Sequence, residues 1–107
     1  MIARTWRGIA ATDEAADAYA THVEMTAFPK MRQLPGHLGA YLFKQKQAGK
    51  TIVFVLTHWE DMEAIRGFAG DHLQKSVVEP RAREVLETYD DSVEHFEVVV
   101  QGGAAAR

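Results

Sequence analysis

Nine consecutive residues, Thr51 to Trp59, form the densest β-forming stretch of the chain, Thr-Ile-Val-Phe-Val-Leu-Thr-His-Trp. At a period of two, Ile52, Phe54 and Leu56 share one face and Val53 and Val55 the other, so both faces are apolar. A strand of this kind is central and covered on both sides. Before it, Pro35-Gly36 signals a turn, and His37 to Gln47 reads as a strand with Leu38, Tyr41, Leu42 and Phe43 as its bulk. Ala48-Gly49-Lys50 is a short hairpin connection. Ile2 to Ile9 alternates loosely and predicts a first strand. Ser92 to Gln101 predicts a last one, with Phe96, Val98 and Val100 on one face.

A period near 3.6 marks the helices. Thr12 is a good N-cap, Asp13 and Glu14 follow where the helix dipole favours anions, and the helix runs to about Phe28. Ala15, Tyr19, Val23 and Thr26 lie on one side, and Asp13, Asp17 and Glu24 on the other. Pro29 is expected to end it. Asp61 caps a second helix with the apolar stripe Met62, Ile65, Phe68 and Ala69, and Gly70 stops it. Residues 71–78 read as a loop or a short helical turn. Pro80 opens a third helix to about Thr88, with Val85 and Leu86 inward.

The order strand, helix, strand, strand, helix, strand is the split β-α-β pattern of ferredoxin-like α+β domains, with a four-stranded antiparallel sheet. Both helices fall on one face of that sheet. The other face is apolar too, and a bare apolar face of several hundred Å² is rarely left in water. The simplest cover is a second copy related by a two-fold axis, which predicts a homodimer. The domain is expected to span residues 1–101, with 102–107 a flexible C-terminal tail.

Composition narrows the chemistry. Among 107 residues there is no cysteine, which removes disulfides, thiolate zinc sites, iron–sulfur clusters and cysteine nucleophiles. A net charge of −3 gives no basic surplus for nucleic acid or an acidic membrane. No apolar run approaches the roughly 20 residues that span a bilayer, and no apolar stretch follows Arg4 and Arg7 as a secretory signal requires. The expected setting is cytoplasmic. There is no G-x-G-x-x-G, P-loop or G-x-S-x-G.

Five histidines, His22, His37, His58, His72 and His95, invite a metal reading, but none stands in a ligand spacing. His58-Trp59-Glu60 imitates the H-x-E of zinc deaminases without their cysteines. His22 sits on the flank of the first helix's apolar side, beside Tyr19. It is either a general base at the edge of a cavity or a boundary histidine facing water. Trp6 and Trp59 either line a pocket for a flat aromatic ligand or belong to the core. Arg4 shares a strand face with Ile2 and Trp6, so it needs an anionic partner, either a ligand carboxylate or enolate or a nearby Glu. Glu79-Pro80-Arg81 and Arg83–Glu87 look like a solvated helix face.

The segment Leu56-Thr57-His58-Trp59-Glu60-Asp61-Met62-Glu63-Ala64-Ile65-Arg66-Gly67-Phe68-Ala69-Gly70 resembles the strand-to-helix segment of the antibiotic biosynthesis monooxygenase family. Pro35-Gly36-His37-Leu38-Gly39, Val77-Val78-Glu79-Pro80 and Val93-Glu94-His95-Phe96-Glu97-Val98 resemble further landmarks, so the likeness covers residues 1 to about 100. It implies a dimeric α+β barrel. It also implies oxygenation of polycyclic aromatic phenols to quinones with no metal, flavin or haem cofactor. A pocket would strip a phenol proton, and the electron-rich anion would react with dioxygen. In that reading Trp59 is a wall or donor, and only Trp59 matches by family position. His22 or His72 is the base, and Tyr19, Tyr41 and Arg4 bind oxygens.

Relatives of the same superfold that degrade haem carry an Asn on the first strand, an aromatic on the helix after the third, and an axial His about ten residues on. Here Phe68 holds the aromatic place, the His place falls near Val77 or Val78, and residues 1–9 contain no Asn. His72 is early by about a turn and would ligate haem only in a shifted pose. The expected function is thus a small cofactor-independent monooxygenase for a hydrophobic aromatic molecule. The alternatives are a non-catalytic dimeric ligand-binding module and, behind it, a haem binder.

Overall fold

The computed structural model describes residues 1–103; of the tail expected at 102–107, residues 104–107 lie outside the described residues. Three long strands build the sheet: β1 (Ile2–Ala10), β2 (His37–Gln47) and β3 (Lys50–Trp59). All pair antiparallel, with β3 between β2 and β1. The β2–β3 hairpin closes on Ala48 and Gly49, whose φ angles of 52° and 78° are both positive. That is the backbone of a two-residue primed turn, which matches the twist of the flanking strands.

Register fixes the two faces. Trp6 pairs with Val55, Arg4 with Thr57 and Leu42 with Val55, so these side chains share the inner face. Phe54 pairs with Phe43, and Leu56 with Tyr41, on the outer face. The helices cover the inner face alone. Ala10, Ala16, Tyr19, Val23, Val53, Val55, Ala82 and Leu86 form one buried cluster, and Met31, Trp59 and Ile65 a second.

The first helix outruns its expected end. α1 (Asp13–His22) passes into a π-helical stretch, Val23–Ala27, and then into α2 (Phe28–Arg32). Pro29 therefore does not stop it. At the start of α2 the missing proline N–H leaves no regular bond unmade, and the wider turn before it relieves the clash of the ring with the carbonyl one turn back. Thr12 Oγ1 caps α1 by accepting from the Ala15 N–H at 3.1 Å. The next helix, α3 (Met62–Ala69), stands where expected. Asp61 caps it and Gly70, at φ 74°, ends it.

Residues 71–79 form no helix and run as a strap across the sheet. The strap is tied to residues 90–93 by Ser76 N to Asp91 O and Val93 N to Gln74 O, both at 2.9 Å. α4 (Pro80–Val85) ends three residues before Thr88, because Leu86 turns extended into the core. Thr88–Tyr89 instead form β4 on the free edge of β1. β5 (Glu94–Glu97) pairs further along the same edge. The expected last strand, Ser92 to Gln101, thus starts late, at Glu94, with residues 90–93 looped out opposite Trp6 and Arg7. It stops short of Gln101 because β1 runs out: Val98 N bonds Met1 O, and Val99 and Val100 are exposed. The strand order β2-β3-β1-β4 is the ferredoxin-like one.

The outer face stands open in the single chain. Tyr41, Phe43 and Phe96 are 57 %, 48 % and 50 % exposed. Among the described residues, no helix is long and apolar enough to cross a membrane.

Candidate functional site

Between the inner sheet face and the helices lies a cavity of about 60 Å³. Arg4 and Trp6 of β1 and Val55 and Thr57 of β3 make its floor. Tyr19, His22, Val23, Ala27, Phe28 and Met31 close one side, Phe68 and Ala82 contribute from the other helices, and Val77, Val78, Glu79 and Val93 complete the wall. The lining is mostly apolar, with a few polar groups at fixed places, the usual composition of a small-molecule site.

Five of the eight residues singled out from the sequence meet here: Arg4, Trp6, Tyr19, His22 and Phe68. Trp6 is anchored by its indole N–H, which donates to Asp90 O at 2.7 Å, and its ring lies 6.1 Å from that of Tyr19. Tyr19 in turn lies 6.4 Å from the His22 ring. Burial, with the Glu79 carboxylate adding, pushes the Tyr19 phenol well above its ordinary range, so it stays a hydroxyl. His22 Nε2 stands 3.9 Å from Glu79 Oε1, and Lys30 Nζ donates to Glu79 Oε2 at 3.2 Å.

The other three do not join them. Trp59 is 0 % exposed and lies outside the lining, behind Phe68; its indole N–H donates to Thr57 Oγ1 at 2.8 Å. It is a core residue that fixes Thr57, so the wall position expected for it belongs to Phe68. His72 is exposed at the start of the strap. Tyr41 stacks on Phe43 on the outer face, because beyond the irregularity between His37 and Gly39 the even positions of β2 face inward and the odd ones outward.

Glu79 was missed. It looked like part of a solvated helix face, yet it lines the cavity and pairs across to Lys30. Arg83 and Glu87 do not pair either, since α4 ends before Glu87, which bonds Lys50 at 2.7 Å. His95 was also passed over. Its Nε2 lies 2.9 Å from Arg4 Nη1. A guanidinium only donates, so Nε2 accepts and the neutral ring carries its proton on Nδ1, which is buried without a partner. Among the described residues, no group of three His, Asp or Glu is placed to hold a metal ion.

A model of the antibiotic biosynthesis monooxygenase family matches residues 8–79. The chain belongs to that family. No curated protein is similar to it by sequence. Solved structures of similar fold include the heme-degrader MhuD of Mycobacterium tuberculosis, with two hemes in its active site. That structure is 24% identical, with a TM-score of 0.64, over 96% of this chain and 100% of that one. A second is the ActVA-Orf6 monooxygenase of Streptomyces coelicolor in complex with Nanaomycin D, 15% identical with a TM-score of 0.57, over 99% and 92%. A third is SnoaB of Streptomyces nogalater, a cofactor-independent oxygenase, 16% identical with a TM-score of 0.54, over 94% and 93%. At these identities the likeness of this family member to each of them is one of fold.

Proposed function

We infer that this family member is a cofactor-independent monooxygenase for a hydrophobic phenolic aromatic, working as a homodimer closed through the outer sheet faces. The observation that carries the reading is the run Trp6–Tyr19–His22 from the floor of an apolar chamber up one side of it. It sets an imidazole base beside two rings that would stack on an aromatic guest. His22 takes the phenol or enol proton. The anion passes electrons to dioxygen and binds it at carbon. One oxygen atom remains as the new carbonyl and the other leaves as water. The protein supplies a dry wall, the base and the neutral Tyr19 hydroxyl as a donor.

At about 60 Å³ the chamber holds a few waters, whereas ligand pockets run to roughly 300–1,000 Å³. A guest must therefore displace part of the wall, and the helix-free strap 71–79 is the part with the fewest regular bonds. The same small volume favours the second reading, a non-catalytic module for a small ligand. Haem fits less well: the strap offers Val77, Val78 and Glu79 to the chamber, and His72 stands outside it.

Aerobic incubation with anthrone or 1-naphthol, with and without a metal chelator, tests the proposal. Quinone formation with matching oxygen uptake, indifferent to the chelator, is expected. No oxidation above the uncatalysed rate would leave the binding module as the better reading.

A further inference from the structure

Arg4 is 4 % exposed and lines the chamber, yet among the described residues no Asp or Glu forms an ion pair with it. Its guanidinium is held by neutral groups alone. Nη1 donates to Leu73 O at 2.7 Å and to His95 Nε2 at 2.9 Å, and Nη2 donates to Lys75 O at 3.0 Å. The Phe68 ring centroid lies 5.7 Å from Cζ. Carbonyl dipoles and a π face solvate the charge without neutralising it. Of the five N–H donors a guanidinium carries, the Nε–H and one on Nη2 make no bond here.

Burial works against this cation and pulls its pKa down to about 10. Uncompensated charges are rarely kept in a protein interior, because removing an ion from water is costly unless an opposite charge offsets it. The carboxylate in the same chamber, Glu79, is already matched by Lys30. The chamber thus carries one positive charge awaiting a partner. Position says where that partner lies. Arg4 and Trp6 are one same-face step apart on β1, roughly 7 Å. From Trp6 the contacts run through Tyr19 to His22.

We propose that the ligand is a hydroxyaryl carboxylic acid: its carboxylate sits on the Arg4 guanidinium, its rings against Trp6 and Tyr19, and its hydroxyl toward His22. A planar fork of donors suits a carboxylate oxygen pair better than a lone hydroxyl. The carboxylate end stands on Arg4 alone; the reactive end rests on the oxygenase reading above.

The test is calorimetric titration of the whole protein with 6-hydroxy-2-naphthoate, its methyl ester and 2-naphthol at neutral pH. The acid is expected to bind about tenfold or more tighter than the ester, and rising salt to weaken the acid alone. In Arg4→Gln the acid-over-ester preference falls to about twofold or less. Arg4 also ties down the strap through Leu73 and Lys75; if Arg4→Gln does not fold, the wild-type ratio and its salt dependence decide. Equal binding of acid and ester, an acid preference that survives Arg4→Gln, or failure of all three probes to bind overturns the proposal. An acid that binds but is not oxidised in air removes the oxygenase reading and leaves the carboxylate site. A naphthol that is oxidised while the acid is refused does the reverse.

Discussion

Trp59 lies on Phe68, ring centroids 5.7 Å apart and planes 28° apart, and of the two only Phe68 reaches the chamber. The larger ring is scaffold and the smaller one is surface. Trp59→Phe therefore costs about 1–3 kcal/mol of stability, from lost volume and the lost bond to Thr57, and leaves ligand affinity within about twofold. Phe68→Ala has the opposite balance: it enlarges the chamber and changes which aromatic binds. Denaturant melts and calorimetric titration of both variants check this exchange of roles.

Acid should destabilise the fold through two histidines. Burial lowers the pKa of His95 and of His37, and the positive charges of Arg4 and Arg32 lower them further. Below the unfolded value of 6.5 the unfolded chain binds protons that the folded one refuses. Stability from these groups is thus complete above pH 6.5 and falls as pH drops below it. Melting temperature measured across this range should decline. His95→Gln, whose amide oxygen still accepts from Arg4, should make the decline shallower. An unaltered slope would show that His95 is not one of the groups responsible.

The β2–β3 turn holds an alanine where the backbone favours asparagine. Ala48 sits at φ 52°, a left-handed conformation that strains an L side chain by roughly 1 kcal/mol. Ala48→Asn should raise stability by about 0.5 kcal/mol, seen as a higher denaturant midpoint at constant slope, with ligand binding unaffected.

The open outer face predicts self-association. Sedimentation should give a particle of about twice 11.9 kDa. Phe43→Lys places a charge in the middle of the apolar Phe43–Phe54 contact and should shift the protein to the monomer. A wild-type protein that sediments as a monomer at high concentration would contradict the two-fold closure.

Local signals carried most of the fold. β3 declared itself through nine β-forming residues, β2 through a turn at each end, and α3 through Asp61 and Gly70. Where the reading failed, the deciding contact was non-local. Pro29 marks a helix end unless a π turn precedes it, and the sequence has no sign for that. Thr88 left its helix because β1 had a free edge. In the site, period-two alternation sufficed to put Arg4 and Trp6 on one face, and the helical period to bring Tyr19 and His22 toward them. Which of Trp59 and Phe68 stands in front depends on how α3 docks. Glu79 meets Lys30, and His95 meets Arg4, across folds of the chain that no short window spans.

Ala27 lines the chamber from the π-helical stretch, and a larger side chain there fills the space while Arg4, Tyr19 and His22 themselves are kept. The decisive measurement is the rate of aerobic naphthol or anthrone oxidation by Ala27→Phe beside the wild type, with melting curves for both. If the chamber is the site, the wild type oxidises the substrate and the folded variant loses about tenfold or more of that rate. A folded Ala27→Phe that retains the wild-type rate would place the chemistry elsewhere.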